Sequence, residues 1–361
     1  MATIALDATY TLGARPTGTA TYSRRLIESL AALGAPHRFL VCYRLSRWSR
    51  RREFLRLPGC PVRLFQRPLT FWLPRQVDLF HSLAQRPPVF RFRREVVTVH
   101  DAFPITGRDY STPEFQRRFS ALLREAVGRA ARVITDSGYT ARQLERHCGV
   151  ERARLRTIPC GVDEPEPTLA PDQRLEERER LVGAGNEMLL MVGNLETRKN
   201  VVNALRALAL LPERYRLALA GGDGYGAAAV HAAIAEQGLD GRVVRLGFVS
   251  AERLPLLYEC ASALLFPTLE EGFGFPVLEA MAHGLPVVTS NTSSLPEVGG
   301  DAALYVDPLD PAGIAAQAAR AVEDRPLRQE LIEKGRARAR QFTWRRAAEA
   351  VLEVYREVLE R

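Results

Sequence analysis

Long apolar runs, cysteine pairs and signal-peptide features are all missing from this sequence of 361 residues, and each absence argues against a class of protein. No uninterrupted apolar stretch reaches the length that a membrane-spanning helix needs. The opening MATIALDATYTLG is typical of a first strand and lacks a basic-then-apolar pattern, so we expect a cytoplasmic protein. The five cysteines are widely spaced without a CxxC pair, which argues against a disulfide framework and against a zinc site.

Lysine is scarce as well, because 48 of the 50 basic residues are arginine and only Lys199 and Lys334 are lysine. Because nearly all basic residues of the chain are arginine, each lysine is a candidate for a specific role. The net charge of +8 is unevenly placed: residues 38–94 contain fourteen arginines against Glu53 and Asp78. The N-terminal half therefore carries a basic face.

Part of this basic face, residues 44–74, interleaves arginines with large apolar residues: Trp48, Phe54, Leu55, Phe65, Phe71 and Trp72. Such mixing suits an anionic membrane surface and predicts peripheral attachment at the inner face of a membrane. An ordinary solvated helix face with a connecting loop would explain it equally well. A nucleic-acid surface would share the charge, yet no recognised binding motif accompanies it, so we predict no nucleic-acid partner.

The densest chemistry lies in residues 264–307, which we interpret as strand, glycine loop, short helix and strand. Gly272 and Gly274 keep the loop free of side chains, and Pro276 suits a first helical position. Glu271 and Glu279 flank the loop, with Glu279 expected in the first helical turn. The helix N-terminus offers N–H donors and the carboxylates accept from sugar hydroxyls. Taken alone, Glu279 could simply favour the helix dipole and Glu271 could be a solvated loop residue.

Two further loops follow predicted strands. Arg198 and Lys199 lie at a strand-to-helix transition, where cations and N–H groups can converge on a diphosphate. Residues 222–227 formally satisfy GxGxxA, a dinucleotide fingerprint. The acidic residue Asp240 precedes the next strand instead of ending it, so the signal for a nucleotide-dependent oxidoreductase is weak.

The string E-G-F-G-F-P-x-L-E-A-M-A-x-G-x-P-V-V, beginning at Glu271, resembles the E(x)7E motif of retaining family 4 glycosyltransferases. The phrase G-x-L-x-x-R-K-N, which contains Lys199, matches the diphosphate-binding phrase of that family, and L-G-F-V matches its nucleobase segment. Looser matches are VITDSGYTARQL and IPCGVD, with Cys160 in place of the usual asparagine. The resemblance covers nearly the whole chain.

This resemblance implies an α/β protein with the GT-B fold, in which two Rossmann-like domains face a central cleft. We expect an acceptor-binding domain over residues 1–165 and a nucleotide-sugar-binding domain over residues 166–343. The C-terminal helix, residues 344–361, has a clear apolar stripe and should cross back to the N-terminal domain. Residues 164–185, rich in proline, glutamate and arginine, would connect the domains.

The resemblance and the residue chemistry together assign a site. His100, Arg198, Lys199 and Glu271 are the predicted catalytic residues, with His100 facing the transferred sugar and the two cations stabilising the leaving diphosphate. Glu279 would hold the ribose. Asn194 stands where many family members have arginine, and Thr17 precedes Gly18 where the family has a doubled glycine. The predicted donor-binding residues are Gly18, Asn194, Phe248, Val249, Gly272, Phe273, Gly274, Phe275 and Glu279.

The expected activity is retaining, metal-independent hexosyl transfer, mannosyltransferase-like, from a GDP-, UDP- or dTDP-linked donor. The acceptor would be a glycan or lipid-linked molecule in cell-surface polysaccharide or glycolipid synthesis, and no cofactor is expected. Two alternatives stay open: a nucleotide-dependent oxidoreductase, suggested by the GxGxxA pattern, and a noncatalytic sugar-nucleotide binding protein with the same fold.

Overall fold

The computed structural model describes residues 1–13, 17–34, 36–106 and 109–360. Its residues group into two compact units. Unit 1 comprises Met1–Arg108, Pro113–Gly161 and Phe342–Arg361, and unit 2 comprises Asp109–Thr112 and Val162–Gln341. The middle of the first strand-to-helix loop, residues 14–16, lies outside the described residues.

Unit 1 is built on one sheet of seven parallel strands. The strands are β1 (Thr3–Asp7), β2 (Arg38–Arg44), β3 (Val62–Phe65), β4 (Leu79–Ser82), β5 (Glu95–Val99), β6 (Arg132–Thr135) and β7 (Leu155–Thr157). Its helices are α1 (Gly18–Ala32), α2 (Pro113–Arg129), α3 (Gly138–Cys148) and α12 (Trp344–Leu359). The strand order is β3-β2-β1-β4-β5-β6-β7. The central strands are buried along their length, as expected for a parallel sheet covered by helices.

The C-terminal helix α12 belongs to unit 1, where it packs on α1. A buried chain of hydrogen bonds supports this position: the Tyr355 hydroxyl lies 2.6 Å from His81 Nδ1, and His81 Nε2 lies 2.9 Å from the Thr98 hydroxyl. Thr98 in turn contacts the Tyr22 hydroxyl on α1 at 3.1 Å. Gly161 lies so close to the start of α12 that an added Cβ would overlap the Trp344 nitrogen.

Unit 2 repeats the plan with six parallel strands in the order β10-β9-β8-β11-β12-β13. The strands are β8 (Glu187–Val192), β9 (Tyr215–Ala220), β10 (Val243–Gly247), β11 (Ala263–Phe266), β12 (Val287–Ser290) and β13 (Leu304–Val306). The helices are α4 (Pro171–Val182), α5 (Val201–Leu210), α6 (Ala227–Glu236), α7 (Leu254–Cys260), α8 (Phe275–Ala282), α9 (Leu295–Gly299), α10 (Pro311–Glu323) and α11 (Arg325–Ala339).

Both sheets have a point where the strand order reverses, between β1 and β4 in unit 1 and between β8 and β11 in unit 2. The chain leaves the two neighbouring strands towards different sides of the sheet at such a point, so a crevice opens at the carboxyl edge. Open α/β sheets bind ligands at this point. The predicted α/β architecture with two Rossmann-like parallel sheets and a C-terminal helix on α1 is confirmed.

Two local predictions are wrong, and one strand is missed. Residues 164–185 are more than a connection, because they contain the helix α4. The segment that leads into this helix is held by Glu259, which accepts from the Thr168 and Leu169 nitrogens. Helix α8 begins at Phe275, so Glu279 lies in its second turn and not in its first.

The basic segment 44–74 forms 3-10 turns and the edge strand β3, which the sequence pattern does not predict. Its arginines and aromatic residues therefore do not lie on one continuous helix. Among the described residues, no helix of the chain combines the length and the apolarity needed to cross a bilayer.

Candidate active site

Arg198, Lys199 and Glu271 meet at the reversal point of the unit 2 sheet. The loop after β8 supplies the two cations and the loop after β11 supplies the carboxylate. Lys199 Nζ lies 2.6 Å from Glu271 Oε1, and Arg198 Nη1 lies 2.9 Å from Glu271 Oε2. One carboxylate thus bridges two neighbouring cations, with Glu196 Oε2 3.6 Å from Arg198 Nη2 as a weaker partner.

This cluster is strongly shielded from solvent. The side chains of Arg198, Lys199 and Glu271 are 12%, 11% and 9% exposed. Burial lowers the pKa of Lys199, and the nearby positive charge of Arg198 adds to this, against the attraction of Glu271. Burial alone would raise the pKa of Glu271, but the charges of Arg198 and Lys199 hold it below its usual value. The cluster therefore keeps an ionised carboxylate between two cations.

Backbone and side-chain hydrogen bonds fix both loops. Asn200 adopts a left-handed conformation with φ of 58° and donates from its amide to the Pro267 and Pro308 carbonyls. The Leu269 nitrogen donates to the Arg198 carbonyl at 2.9 Å. The Ser294 hydroxyl donates to the Glu271 carbonyl at 2.9 Å, which ties the glycine loop to the segment after β12. Because these contacts hold the loop backbones, the side chains are positioned in advance.

The glycine loop enters α8 through Gly274, whose φ is 107°. An added Cβ at this position would lie 2.8 Å from Leu295 Cδ2, so both the backbone conformation and the available space require glycine. Phe273 is buried, and its ring meets that of Phe275 edge to face at 5.3 Å. Gly272 to Phe275 thus lead from Glu271 directly into the helix.

Glu279 lies one turn inside α8 and has a protein partner. The Tyr258 hydroxyl donates to Glu279 Oε2 at 2.7 Å, and the Tyr258 ring stacks on His283 at 5.3 Å. Burial raises the pKa of Glu279, and Asp163 raises it further, against the hydrogen bond from Tyr258. Tyr258 is a residue that the sequence motifs do not single out.

The glycines of the GxGxxA region serve the packing of two loops. An added Cβ at Gly224, one of the two glycines of the pattern, would lie 2.6 Å from Glu196 Cγ. An added Cβ at the neighbouring Gly226 would overlap Thr197 Oγ1. The Gly224 nitrogen also donates to the Leu195 carbonyl. Gly224 and Gly226 are thus explained by close approach to the loop that carries Arg198 and Lys199.

The remaining predicted residues of unit 2 follow strand ends at the same carboxyl edge. Asn194 follows β8, and its amide nitrogen lies 3.5 Å from Glu196 Oε1. Phe248 and Val249 follow the edge strand β10, with Phe248 exposed. Among the described residues, no group of three histidine, cysteine, aspartate or glutamate side chains is arranged to hold a metal ion.

The two predicted residues of unit 1 lie at separate loops. Gly18 is the first residue of α1, and Thr17, which stands in place of a family glycine, caps this helix by accepting from the Ala20 nitrogen. His100 follows β5 and is buried. Its Nδ1 lies 2.6 Å from Asp136 Oδ2, and its Nε2 lies 2.9 Å from the Leu83 carbonyl.

Both partners of His100 are acceptors, so the geometry favours the imidazolium form, in which both ring nitrogens donate. Burial opposes this charge, but Asp136 and the Leu83 carbonyl outweigh it and raise the pKa of His100. Asp136 is not among the predicted functional residues, although it lies in the quoted phrase VITDSGYTARQL. It sets the charge of the histidine that the sequence singles out.

The substitution Asp136→Asn should cost more stability at low pH than at high pH. Because the pKa of His100 is raised in the folded protein, the protonated histidine stabilises the fold. This stabilisation is complete below the unfolded histidine pKa of about 6.5 and is lost as the pH rises through the folded pKa. We expect the loss in unfolding free energy to be larger at about pH 6 than at about pH 9, measured by urea denaturation. Asp78→Asn, which removes a carboxylate that accepts from the Thr3 nitrogen, is the control. A penalty for Asp136→Asn that is independent of pH would contradict an ionised His100.

Comparison with known proteins agrees with this geometry. Residues 172–338 match the family described as glycosyl transferases group 1, and residues 16–165 match glycosyltransferase family 4. The chain is 32% identical over 270 residues to the O-antigen chain mannosyltransferase B of Escherichia coli, covering 74% of this chain and 71% of that protein. The chain belongs to the family 4 glycosyltransferases.

The relatives of this glycosyltransferase are not all mannosyltransferases. A D-inositol 3-phosphate glycosyltransferase of Acidothermus cellulolyticus is 30% identical over 303 residues, which is 80% of this chain and 66% of that protein. Among solved structures, the sucrose-phosphate synthase of Thermosynechococcus elongatus matches with a TM-score of 0.78 at 22% identity, over the full length of both chains. The Anabaena protein HepE, solved with UDP and glucose, matches with a TM-score of 0.78 at 19% identity over 99% of this chain and all of that one. These likenesses identify the GT-B fold.

Proposed function

We propose that this glycosyltransferase moves a hexosyl group, with mannose as the first candidate, from a nucleotide-sugar donor to a glycan or lipid-linked acceptor in cell-surface polysaccharide synthesis. The observation that carries the proposal is the buried pair Arg198 and Lys199, bridged by Glu271 at the reversal point of the unit 2 sheet. The matched O-antigen mannosyltransferases of Escherichia coli and Salmonella typhimurium support the sugar and the pathway class. The HepE complexes with UDP and with UDP-glucose support a nucleotide-sugar donor.

The chemistry follows from where charge develops. When the bond between the sugar and the diphosphate breaks, negative charge grows on the departing oxygen. Arg198 and Lys199 are prepositioned cations in a shielded site, so they stabilise this charge without reorganising. Glu271 offsets part of their charge before the donor arrives and offers its oxygens to sugar hydroxyls. The glycine loop from Gly272 to Phe275 would support the sugar and the phosphates, and the products would retain the anomeric configuration.

The other predicted residues take supporting roles in this proposal. Glu279, oriented by Tyr258, would accept from the ribose hydroxyls, and Phe248 and Val249 would address the nucleobase. His100 would position the transferred sugar by turning its Nε2 donor from the Leu83 carbonyl to a sugar hydroxyl.

On this assignment, each half of the chain binds one of the two substrates. Residues 166–343 would bind the donor and residues 1–165 would bind the acceptor. Gly18, at the start of α1, would approach the donor phosphates. No metal or cofactor takes part in the proposed reaction.

A panel of GDP-, UDP- and dTDP-sugars tests the proposal. We expect one nucleotide class to stabilise the protein thermally and its sugar to be released or transferred, with the product anomer determined by NMR. Donor binding without any hydrolysis or transfer would favour a noncatalytic sugar-nucleotide binder. Stabilisation by NADH together with its oxidation, and no response to any nucleotide-sugar, would favour the oxidoreductase alternative.

We also propose peripheral attachment to anionic membranes through residues 44–74. The large apolar residues of this segment that pack into unit 1 are Phe54, Leu55, Phe65 and Leu73. The exposed ones are Trp48, Leu69, Phe71 and Trp72. Arg51 lies over the Trp48 ring at 5.2 Å, so a cation and an exposed ring share one surface. This combination fits the boundary between lipid headgroups and acyl chains.

Sedimentation with liposomes checks the attachment. We expect binding to vesicles containing phosphatidylglycerol that weakens as salt is added, and little binding to neutral phosphatidylcholine. The double substitution of Phe71 and Trp72 by serine should reduce binding at least about tenfold. Leu210→Ser, which removes an exposed leucine from α5 in unit 2, should leave it unchanged. Equal binding to both lipids would contradict the preference for anionic membranes, and binding to neither would favour an ordinary solvated surface.

A further inference from the structure

A cavity of about 300 Å³ opens in unit 1, outside the site assigned above. It is lined by Arg44, Arg86, Pro87, Arg118, Ala121 and Leu122. Arg44 ends β2, Arg86 follows β4, and Arg118 lies on α2. The cavity is therefore at the carboxyl edge of the sheet, beside the point between β1 and β4 where the strand order reverses. The cavity thus lies beside the position in unit 1 that corresponds to the Arg198 and Lys199 cluster in unit 2.

Three cations line this cavity without a carboxylate partner. Within the described residues, none of Arg44, Arg86 and Arg118 has an ion pair within 4.0 Å, in contrast to Arg129 and Arg198 elsewhere in the chain. Arg44 Nη2 donates to the Pro87 carbonyl at 3.2 Å, while its buried Nε has no hydrogen-bond partner among the described residues. A buried donor left unsatisfied is costly, which favours a ligand that completes it.

Ring faces hold two of these guanidinium groups at the cavity. Arg86 Cζ lies 5.8 Å from the centre of the Tyr10 ring, and Arg44 Cζ lies 5.9 Å from that of Phe65. The charge of Arg44 acts on Asp7, which is buried at the end of β1. Burial raises the pKa of Asp7, against the charge of Arg44 and hydrogen bonds from Thr9. Three arginines against one aspartate leave an excess of two positive charges.

The excess positive charge of the cavity can be compared with the charge balance of the cluster in unit 2. There, Glu271 and Glu196 face Arg198 and Lys199, so the cations are balanced before any ligand arrives. The arginine cavity carries a surplus that matches the charge of a phosphate monoester, about −1.5 to −2 at neutral pH. Guanidinium groups present planar pairs of N–H donors that fit phosphate oxygens, which makes arginine the preferred residue for such an anion.

We propose that this cavity binds a phosphate group carried by the acceptor substrate. The inference rests on the proposed function, because it gives the acceptor its chemical class. The volume exceeds that of one phosphate, so part of the attached molecule would enter with it. The phosphate belongs either to the headgroup of a lipid-linked acceptor or to a soluble phosphorylated sugar, and the two share the same recognition chemistry.

Calorimetric titration with inorganic phosphate tests the cavity. The full-length protein is first saturated with GDP, UDP or dTDP, whichever binds, so that the Arg198 and Lys199 cluster is occupied. We expect a remaining phosphate site whose affinity falls at least about tenfold in Arg86→Gln and in Arg118→Gln. Arg38→Gln, at the opposite end of β2 from Arg44, should bind phosphate like the wild type. Arg118 is exposed on α2, so its variant is expected to fold even if Arg86→Gln does not.

The outcomes separate this inference from the proposed function. Failure to bind any of the three nucleoside diphosphates would contradict the donor site, and the phosphate titrations of the wild type and the variants would still decide the cavity. Normal nucleotide binding with no further phosphate site, or with a site unaffected by Arg86→Gln and Arg118→Gln, would overturn the cavity assignment alone.

Competition against bound phosphate then identifies the source of the group. Displacement by a soluble hexose phosphate indicates a phosphorylated sugar acceptor, and displacement by a short-chain phosphatidic acid below its micellar concentration indicates a lipid acceptor. Phosphate binding in the cavity that neither molecule displaces would overturn its assignment to the acceptor.

Discussion

Replacing Lys199 by alanine is expected to lower turnover at least tenfold, which corresponds to about 1.4 kcal/mol of barrier. The reason is the shielding of the site: Lys199 is 11% exposed and lies 2.6 Å from Glu271. In the proposed reaction its charge would act on the leaving diphosphate with little screening by water. Initial rates of transfer or of donor hydrolysis at saturating donor measure the effect.

The matched control is Lys334→Ala, because Lys334 is the second of the two lysines. It is 40% exposed on α11 and pairs with Glu330 at 2.7 Å, within one helix. Turnover should be unchanged in this variant. Equal rates for wild type and Lys199→Ala would remove Lys199 from the chemistry.

The substitution Glu271→Gln should destabilise the protein by about 3 kcal/mol, because it leaves two buried cations without their shared carboxylate. The shape of the side chain is kept, so the loss reports charge and not packing. Chemical denaturation followed by circular dichroism measures it.

The deficit of Glu271→Gln should shrink as the pH rises from neutrality towards the unfolded lysine value of about 10.4. Burial already lowers the pKa of Lys199, and the loss of Glu271 lowers it further. The folded variant therefore releases the lysine proton at a lower pH than the folded wild type does. Since the folded variant then binds fewer protons, its stability rises with pH relative to the wild type.

Glu196→Gln provides the comparison within the same cluster. Glu196 is 27% exposed and lies 3.6 Å from Arg198, so its loss should cost less than about 1 kcal/mol. Turnover should fall in Glu271→Gln and change little in Glu196→Gln. If Glu271→Gln were as stable as the wild type at neutral pH, the carboxylate would not be the counter-charge of the two cations.

Most of the unit 2 fold could be predicted from local patterns. The strand, glycine loop, short helix and strand predicted within residues 264–307 are observed as β11, the loop before α8, α8 and β12. Local patterns suffice there because short buried strands alternate with apolar helices. Helix α4 escaped prediction because the segment before it is anchored from a distance: Glu259 on α7 accepts from the Thr168 and Leu169 nitrogens. Strand β3 escaped because its four residues interrupt a segment dominated by arginine.

The sequence predicts which residues form the candidate site, but it does not predict the contacts between them. The motifs placed Arg198, Lys199 and Glu271 in loops after strands, yet their meeting depends on β8 and β11 being neighbours, which is a property of strand order. Two residues that orient site side chains, Tyr258 and Asp136, were not singled out by any motif. The one local feature that marks Asp136 in the sequence is its position directly after the end of a strand.

The GxGxxA pattern shows how one spacing can serve two purposes. Glycines in a strand-to-helix turn allow close approach of whatever lies opposite, and in a dinucleotide-binding protein this is a pyrophosphate. Here Gly224 of the pattern approaches Glu196 of the neighbouring loop, and Gly226 in the same turn approaches Thr197. The sequence indicates the need for glycine, and only the structure shows that the neighbour is protein.

Arg198 and Lys199 are proposed above all to bind a diphosphate, and paired titrations test this claim most directly. Calorimetry would compare the affinity of the nucleoside diphosphate with that of the same nucleoside, in the wild type and in Lys199→Ala. We predict that the variant loses at least about tenfold in affinity for the diphosphate and keeps its affinity for the nucleoside. An equal loss for both ligands, or no loss for the diphosphate, would contradict the claim.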